Sequence, residues 1–476
     1  MKLPANKTKI VCTIGPASEA PEIMEQMIQA GMNIARLNFS HSDFDGHKRV
    51  IENLRASARV TGQRVSIMAD LPGPKIRIGQ LAREPLELRP GDKFTLTTEE
   101  MIGDANGVSV TFPRLPEVVK PKDTLFLNDG LIQLEVVTRG MSSITCRVLM
   151  GGELRSRNGL NMPGIDLGIS AFTERDHECL KFAMGQGVDA VSQSFVESGE
   201  DIAAVRAAAN ALGYNPFIIA KIERSRALDH MEEILSAADG IMIARGDLGV
   251  EIPIEQIAFV QKRLMHQANL LGKPVITATQ MLESMMNNRR PSRAEVTDVA
   301  NAILDGTDCV MLSGESAMGR YPVEAVSMLT KIAGSIEPHR PGYYYVRETL
   351  KSIGNDDRIS LTDLIALSVE ATLEHISPAA VFVPTHSGAT ARNIARFRLP
   401  VWIMGVSTQE STCQRLQFSY GVQPVHTPEH PEDWKSFIRE WLSAHEVEGN
   451  IVVLTEGPSP RHPEANNRME IINLER

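Results

Sequence analysis

Apolar residues are concentrated in eight short segments in the first two-thirds of the chain, and each segment ends in a polar or charged side chain. The segments span residues 9–15, 33–40, 65–71, 189–195, 217–223, 240–246, 274–280 and 309–314. Near-continuous β-branched runs of this length are typical of parallel strands buried on both faces. Helical stretches separate most of them, as in residues 225–238, where Leu228, Met231, Ile234 and Leu235 share one face. Eight strand–helix units predict an α/β fold, a (β/α)8 TIM barrel.

The active site of such a barrel lies at the carboxyl ends of its strands. The side chains expected there combine cations with carboxylates and hydroxyls, and this combination predicts an enzyme. They are Arg36, Asn38, Ser40, Asp70, Lys221, Glu223, Arg245, Asp247, Thr279, Ser313 and Glu315.

The barrel pattern is interrupted once, by residues 72–167. Alternating segments such as residues 93–97, 124–127 and 144–149, with Pro-Gly and Asn-Gly turns between them, predict a small β-barrel domain. Proline residues at both crossings suit a mobile lid, and a rigid decorative insertion is the alternative. They are Pro72, Pro74 and Pro163. The barrel would then consist of residues 1–71 and 168–335.

Residues 336–476 are predicted to form a second α/β domain with an open sheet. Helices are expected at residues 363–375 and 389–397, and strands at residues 379–384, 401–405 and 450–455.

Composition narrows the class of protein. The chain has 476 residues, 42% of them hydrophobic, and a net charge of −10 with no basic stretch, which argues against a nucleic-acid partner. Five widely spaced cysteines without metal-ligand spacing predict reduced, mostly buried thiols in a cytoplasmic protein. No apolar run approaches about 18 residues, so we expect neither export nor contact with a membrane.

The pattern around Lys221 indicates a divalent-cation site. Lys221 and Glu223 are two residues apart on one strand and therefore point to the same side. Glu223 and Asp247, at neighbouring strand ends, could share a cation in an oxygen-rich shell. A structural ion-pair network is the alternative, because it would use the same residues.

Residues at the ends of other predicted strands could bind a ligand or transfer a proton. Arg36 suits a phosphate or carboxylate ligand, and an ion pair with a barrel carboxylate is nearly as good an explanation. Thr279, Ser313 and Glu315 could relay a proton, although Thr279 and Ser313 could equally be helix N-caps.

Several long motifs, in order, closely resemble the pyruvate kinase family. They are TKIVCTIGPAS (residues 8–18), GMNIARLNFSH (31–41), NMPGIDLG (161–168), AKIERSRAL (220–228), IARGDLGVEIP (243–253), KPVITATQMLESM (273–285) and the run at residues 289–326. The resemblance implies transfer of a phosphoryl group from phosphoenolpyruvate to ADP, giving pyruvate and ATP, the last step of glycolysis. It also implies a homotetramer.

The resemblance assigns roles residue by residue. Glu223 and Asp247 would bind Mg²⁺ or Mn²⁺, and Lys221 would stabilise the transferring phosphoryl group. Arg36 would hold the phosphate of phosphoenolpyruvate, and Thr279 with the N–H groups of Gly246 and Asp247 would hold its carboxylate. The remaining assignments are Ser313 and Glu315 to the proton relay, and Asn38, His41, Arg77 and Arg157 to the nucleotide.

One departure from the family concerns its potassium site. In many members K⁺ lies among residues that match Asn38, Ser40, Asp70 and the carbonyl of Leu71. A family glutamate is replaced here by Lys75. Because a built-in ammonium can supply the charge of K⁺, we expect activity without added K⁺.

A second departure concerns regulation. The loop PTHSGAT resembles the family's effector loop. Members that respond to fructose-1,6-bisphosphate have basic residues in this loop, and these are absent here. Residues 457–462 offer no second phosphate pocket. We expect a monophosphate effector, a sugar monophosphate or AMP; an ordinary strand–helix turn is the alternative. The loop residues are Thr385, His386, Ser387, Gly388, Ala389 and Thr390.

Two other functions fit the residues without the resemblance. One is a Mg²⁺-dependent carbon–carbon lyase acting on pyruvate or phosphoenolpyruvate, which would need no nucleotide contacts. The other is a non-catalytic sensor of phosphorylated metabolites that uses the C-terminal loop.

Overall fold

The computed structural model describes residues 2–340, 344–353, 360–457 and 466–475. The chain begins with three parallel strands, β1 (Lys9–Thr13), β2 (Ile34–Asn38) and β3 (Ser66–Leu71). Helices α1 (Pro21–Ala30) and α2 (Phe44–Thr61) connect them. Local sequence explains both starts, because α1 has proline in its first turn and Asp43 caps α2 by accepting a hydrogen bond from the Gly46 N–H.

The insertion after β3 forms its own sheet and core. Its strands are β4 (Leu86–Leu88), β5 (Lys93–Thr97), β6 (Gly107–Ser109), β7 (Thr124–Leu127), β8 (Ile132–Arg139), β9 (Ser143–Met150), β10 (Gly152–Leu154) and β11 (Leu160–Asn161), with one short helix, α3 (Leu115–Val118). Six strands form a sheet in the order β11-β7-β8-β9-β5-β6, and β10 pairs with β4. All pairs are antiparallel except β5 with β6. Their apolar faces enclose one core, which runs from Ile76 to Leu167.

The rest of the barrel follows as five strands, β12 (Ala190–Gln193), β13 (Phe217–Ile222), β14 (Gly240–Ala244), β15 (Val275–Ala278) and β16 (Cys309–Leu312). The eight parallel strands close in the order β1-β2-β3-β12-β13-β14-β15-β16, which confirms the predicted barrel. The helices around these strands are α4 (Glu174–Gly185), α5 (Gly199–Ala211), α6 (Met231–Ala237), α7 (Arg245–Glu251), α8 (Ile257–Leu270), α9 (Arg293–Leu304), α10 (Gly314–Ala317) and α11 (Pro322–Ile336).

The prediction of one helix over residues 225–238 is wrong. The segment forms a 3₁₀ turn, Ser225–Asp229, and then α6, with non-helical backbone at His230. The backbone N–H and the hydroxyl of Ser225 both donate to Glu251, which holds the start of the turn against the end of α7. This tertiary contact overrides the helical periodicity of the apolar residues.

The C-terminal region is a second α/β unit. Its helices are α12 (Tyr344–Ile353), α13 (Leu361–Leu373), α14 (Ala389–Ala395), α15 (Glu410–Leu416) and α16 (Trp434–Ala444). Its strands are β17 (Ala380–Pro384), β18 (Trp402–Ser407), β19 (Val422–His426), β20 (Ile451–Glu456) and β21 (Arg468–Asn473). The open sheet has the order β19-β18-β17-β20-β21, and only β21 is antiparallel to its neighbour. The predicted open sheet is confirmed, and β19, β21, α12, α15 and α16 are additions to the prediction.

A buried ion pair joins the barrel to the C-terminal unit. Arg398, after α14, donates two hydrogen bonds of 2.8 and 2.7 Å to Asp308, at the start of β16. Their side chains are 1% and 4% exposed. The Tyr420 N–H donates to the same carboxylate over 2.9 Å. The two units are therefore fixed at the amino-terminal face of the barrel, opposite the predicted active site.

The structure also describes the cysteines and the lengths of the helices. All five cysteines lie among the described residues, and all are buried and free. Within the described ranges, no helix is both long enough and apolar enough to cross a bilayer.

Candidate active site

Lys221 lies at the centre of the polar cluster at the carboxyl end of the barrel. Its Nζ donates a 2.6 Å hydrogen bond to Ser194 Oγ and lies 3.3 Å from Glu223 and 3.5 Å from Asp70. The side chain is 12% exposed. Burial alone would lower the pKa of Lys221, but the Asp70 and Glu223 carboxylates outweigh burial and raise it above its ordinary value. The amine is therefore a fixed cation.

Glu223 and Asp247 form a pair of carboxylates beside this cation. Burial raises the pKa of Glu223, and the charge of Asp247 adds to that shift. Desolvation within the mouth of the barrel also raises the pKa of Asp247, with Asp129 of the insertion contributing, although solvent reaches the Asp247 side chain. Desolvation is the main cause of both shifts, and it makes the charged form of each carboxyl group costly.

The donor set fits a divalent cation. Glu223 keeps one oxygen bound to the Phe195 N–H at 2.7 Å, whereas Asp247 accepts no side-chain hydrogen bond and forms no ion pair with any described residue. Across the described ranges, no three His, Cys, Asp or Glu side chains form a complete metal site. Two carboxylates plus water and substrate oxygens would give the shell that Mg²⁺ favours.

Arg36 forms an ion pair with a barrel carboxylate, the second of the two predicted arrangements. Its Nε donates a 3.0 Å hydrogen bond to Asp70, its Nη2 contacts the same oxygen, and its Nη1 donates to Thr13. Asp70 also accepts from the Ser192 hydroxyl over 2.7 Å. Although burial would raise the pKa of Asp70, Lys221 and Arg36 hold it at about 2. A ligand of Arg36 would therefore have to share it with Asp70.

Thr279 occupies a strained loop beside the first turn of α7. Its φ is +68°, a value that β-branched residues rarely adopt, and its hydroxyl accepts the Gly246 N–H over 2.8 Å. Arg245 supports the loop by donating to the Thr279 carbonyl over 2.8 Å and to Asp298 over 2.8 Å. Thr279 is not an N-cap, and its hydroxyl lies beside the Gly246 N–H at the start of α7.

Ser313 and Glu315 have different environments. Glu315 is 3% exposed, and its two oxygens accept the N–H groups of Leu282 and Ser313 over 3.1 and 2.8 Å. Ser313 is half-buried at the N-cap position of α10, but its hydroxyl makes no capping hydrogen bond. The carboxylate therefore holds two active-site loops, whereas the hydroxyl is available.

The residues predicted for the nucleotide and for K⁺ adjoin this centre. Desolvation first, and then the charges of Lys75, Arg77 and Arg36, lower the pKa of His41. Lys75 itself lies close enough to Asp70 and Glu223 to feel their charges, although desolvation and the neighbouring cations lower its pKa.

The other residues predicted for the nucleotide and for K⁺ make local contacts. Asn38 Oδ1 accepts the Ser40 N–H, Leu71 is buried, and Arg77 donates to the Arg157 carbonyl over 2.8 Å.

The insertion reaches the mouth of the barrel at two places. The Gly164 N–H donates to Ser225 Oγ over 3.2 Å. At the tip of the β7–β8 turn, a Cβ added to Gly130 would lie 3.2 Å from Val250 of α7. The insertion thus contacts both elements that carry the paired carboxylates.

Comparison with known families decides what this arrangement is. The family model "Pyruvate kinase, barrel domain" matches residues 5–326, and the model "Pyruvate kinase, alpha/beta domain" matches residues 363–472. The chain belongs to the pyruvate kinase family. Members of the pyruvate kinase family generally use Mg²⁺ together with K⁺ or another monovalent cation.

Similar pyruvate kinases match nearly the whole chain. The pyruvate kinase of Thermococcus litoralis is 45% identical over 476 residues, all of both chains. That of Geobacillus stearothermophilus is 42% identical over 98% of this chain and 80% of its own length. The crystal structure of a pyruvate kinase from Cryptosporidium parvum superposes with a TM-score of 0.91 and 33% identity, covering 99% of this chain and 96% of that one.

The effector loop expected from the resemblance to pyruvate kinases connects β17 to α14. Thr385 accepts the Gly388 N–H over 2.9 Å and Ser387 accepts the Ala389 N–H over 3.4 Å, as in an ordinary strand–helix turn. His386, Ser387 and Ala389 are exposed, and Thr390 is half-buried. Of the predicted second pocket, residues 458–462 lie outside the described residues.

Several residues of this pyruvate kinase site were missed at the sequence level. Ser192 and Ser194 bond to Asp70 and Lys221, and Phe195 bonds to Glu223 from a backbone with φ of +60°. The two serines lie two apart at a predicted strand end, so their spacing could have signalled a shared face. The left-handed conformation of a phenylalanine leaves no local signal.

Proposed function

We propose that the protein transfers the phosphoryl group of phosphoenolpyruvate to ADP, forming pyruvate and ATP, the last step of glycolysis. The observation that carries this proposal is the convergence of Lys221, Glu223 and Asp247 at the carboxyl end of the barrel. Membership of the pyruvate kinase family supports it over a carbon–carbon lyase or a non-catalytic sensor.

The cations perform most of the catalytic work. A phosphoryl group in transfer spreads negative charge over its oxygens, so that positioning and positive charge lower the barrier. Lys221 supplies a fixed ammonium, and Arg36 turns one guanidinium edge to the phosphate while Asp70 fixes its orientation. Glu223 and Asp247 would hold Mg²⁺, or Mn²⁺, which supplies further positive charge when bound.

The substrate carboxylate and the proton are assigned to neighbouring loops. The Thr279 hydroxyl and the N–H groups of Gly246 and Asp247 bind the carboxylate, which replaces the hydrogen bond between Thr279 and Gly246. The Ser313 hydroxyl, which makes no capping hydrogen bond, serves the proton relay to enolpyruvate. Glu315 contributes by fixing the Ser313 backbone.

The domain boundaries and the lid are part of the same proposal. Residues 1–71 and 168–335 form the catalytic barrel, residues 72–167 a lid that excludes water, and residues 336–476 a regulatory domain. The contacts of Gly130 and Gly164 with the barrel support a lid at this position. With the lid in place, the nucleotide is bound by Asn38, His41, Arg77 and Arg157.

Activity without added K⁺ follows from the position of Lys75. Its ammonium group lies near Asp70 and Glu223, where a family K⁺ would otherwise balance their charge. The protein would then belong to the lysine-containing, K⁺-independent group of the family.

The loop of residues 385–390 is proposed to bind a sugar monophosphate or AMP. The exposed side chains of His386 and Ser387, at a strand–helix turn, support an anion ligand. Titration calorimetry with glucose 6-phosphate, AMP and fructose-1,6-bisphosphate is the test. Tight binding of the bisphosphate alone would refute the proposal.

The protein is also proposed to be a homotetramer and to function in the cytoplasm. Large apolar side chains are exposed on the barrel and on the C-terminal unit, including Ile254 and Phe259 at 67% each and Leu361 at 65%. Strand β21 also leaves one sheet edge open. Five buried free thiols suit a reducing compartment.

One experiment separates the three candidate functions. Pyruvate formation is followed by coupling to lactate dehydrogenase, with phosphoenolpyruvate and Mg²⁺, in the presence and absence of ADP. Pyruvate formed only with ADP supports the proposal. No pyruvate in either reaction would refute the proposal. Loss of added pyruvate or phosphoenolpyruvate in the presence of Mg²⁺ would then indicate a lyase, and loss of neither would indicate a sensor.

A further inference from the structure

Arg224 joins three elements around the candidate active site through three different nitrogens of one guanidinium group. Its Nε donates to Glu197, in the loop after β12, over 3.0 Å. Its Nη1 donates to Glu251, the last residue of α7, over 2.8 Å. Its Nη2 donates to the Ile165 carbonyl, where the insertion returns to the barrel, over 3.1 Å. The side chain is 3% exposed.

Arg224 and the first two elements together hold the carboxylate pair. Arg224 directly follows Glu223, and α7, which ends at Glu251, has Asp247 in its first turn. The loop that holds Glu197 also provides the Phe195 N–H that binds Glu223 over 2.7 Å. A shift of Arg224 would therefore move both carboxylates relative to each other.

The third element belongs to the insertion. Ile165 packs against the core of the insertion, so its carbonyl moves with that domain. Two neighbouring contacts reinforce the junction: Gly164 N–H to Ser225 Oγ at 3.2 Å, and Arg226 to Asp166 at 3.2 Å. Arg226 also binds the second oxygen of Glu197 over 2.9 Å. The insertion and the carboxylate loops thus share one polar network, at whose centre Arg224 is buried.

We propose that Arg224 is a positioning residue that couples the placement of the insertion to the affinity of the Glu223–Asp247 pair for a divalent cation. This inference rests on the proposed function for the metal site and adds a residue that touches neither metal nor substrate. The coupling requires the planar fork of arginine, because the three acceptors lie in different directions and a lysine ammonium cannot reach all of them. Outer groups of this kind commonly set metal affinity.

The test compares Arg224→Lys with wild type in the full-length protein, without substrate. Mn²⁺ binding is measured by the electron paramagnetic resonance of free Mn²⁺, and exchange of backbone amides in residues 160–168 is followed by mass spectrometry. We expect the Kd for Mn²⁺ to rise about tenfold in the variant. Mn²⁺ should slow exchange of this segment in wild type but not in the variant.

Arg114→Lys is the matched control, because Arg114 holds the same return segment through the Gly168 carbonyl at 2.7 Å without contacting either carboxylate loop. Its Kd for Mn²⁺ should stay within about twofold of wild type. The inference is overturned if Arg224→Lys keeps wild-type Mn²⁺ affinity and Mn²⁺-dependent protection, or if Arg114→Lys weakens Mn²⁺ binding equally.

A second variant and the behaviour of the wild type separate failure of this inference from misfolding and from failure of the proposed function. If Arg224→Lys does not fold, Glu251→Gln, which weakens one arm of the network, is judged by the same criteria. Wild type that binds no Mn²⁺ would overturn the metal assignment itself. Wild type that binds Mn²⁺ but forms no pyruvate would overturn only the proposed reaction and leave the coupling open to the same comparison.

Discussion

At the scale of single residues, Asp70 organises the cations of the site. It accepts hydrogen bonds from Arg36 and Ser192 and lies 3.5 Å from Lys221, and it is itself only 2% exposed. Because two cations share this one buried carboxylate, both are held rigidly in place. Such preorganised charge acts on a transition state without first reorganising.

Lys221→Met tests the central cation. Removal of the ammonium should lower kcat by about a thousandfold, because Arg36 is held by Asp70 and cannot take the position of the lost charge. The coupled lactate dehydrogenase assay measures kcat. Lys331→Met, at an exposed position on α11, is the control and should keep wild-type activity. A Lys221→Met enzyme that was folded and fully active would contradict the assignment.

Lys75→Glu tests the replacement of K⁺. In tetramethylammonium buffer the wild type should be stimulated less than about tenfold by K⁺, whereas the variant should require K⁺ because it loses the local positive charge and gains a carboxylate. Lys93→Glu, on an exposed strand position of the insertion, makes the same charge change elsewhere. Strong K⁺ stimulation of the wild type would refute the hypothesis.

The sequence predicted the positions of these residues better than their partners. The two-residue period of a strand places Lys221 and Glu223 on one side without any knowledge of the fold. The pairing of Arg36 with Asp70 depends on the register between β2 and β3, in which Asn38 lies opposite Asp70. That register is a property of the closed barrel and not of either segment, so two partners of Arg36 remained equally reasonable.

At the scale of elements, the strand ends depend on backbone conformations that few side chains favour. Phe195, Thr279 and Gln280 all have positive φ, at the ends of β12 and β15. Each lies where a strand must turn sharply to present N–H or hydroxyl groups to the mouth of the barrel. Contacts elsewhere in the fold offset the free-energy cost of this local strain.

The opposite ends of the strands contain a group that should make stability depend on pH. Burial raises the pKa of Asp189, just before β12, from 3.8 to about 6. Because the folded state binds this proton more tightly, its contribution to stability is complete below pH 3.8 and is lost as pH rises through about 6.

Asp189→Asn should abolish that contribution while keeping an acceptor for the Ile67 N–H. Between about pH 4 and pH 7, the free energy of unfolding of wild type should fall by up to about 3 kcal/mol more than that of the variant. Urea unfolding at several pH values provides the measurement. Parallel pH profiles for the two proteins would show that Asp189 titrates normally.

The two strands missing from the prediction, β19 and β21, share a physical cause. Strand β19 contains Pro424, which central strands exclude but an edge strand tolerates, and β19 lies at one edge of the C-terminal sheet. Strand β21 lies at the other edge and is mostly exposed, so it lacks an apolar pattern. Buried parallel strands were predictable because both of their faces must be apolar.

At the scale of the whole molecule, the barrel and the C-terminal unit are joined by a few buried polar contacts. Arg398 binds Asp308, the Gly306 carbonyl and Asn269, with the last hydrogen bond at 2.5 Å. The same carboxylate orders Tyr420 and the start of β15 through their N–H groups. The C-terminal unit and the barrel strands are therefore stiffly connected.

Arg398→Met should destabilise the molecule by about 3–5 kcal/mol, because Asp308 would remain buried without its cation. Thermal unfolding followed by circular dichroism measures the loss. Arg147→Met, which removes an exposed ion pair with Glu135 on the insertion, should change the midpoint little. Equal midpoints for Arg398→Met and wild type would contradict the structural role of the pair.

The five buried cysteines have a practical consequence. Burial raises the pKa of every one of these thiols, so the native protein presents almost no reactive thiolate to an alkylating reagent or peroxide. One thiol lies in the insertion, one in the C-terminal unit and three in the barrel. The number of thiols that react with Ellman's reagent would therefore report how many of the three units have unfolded.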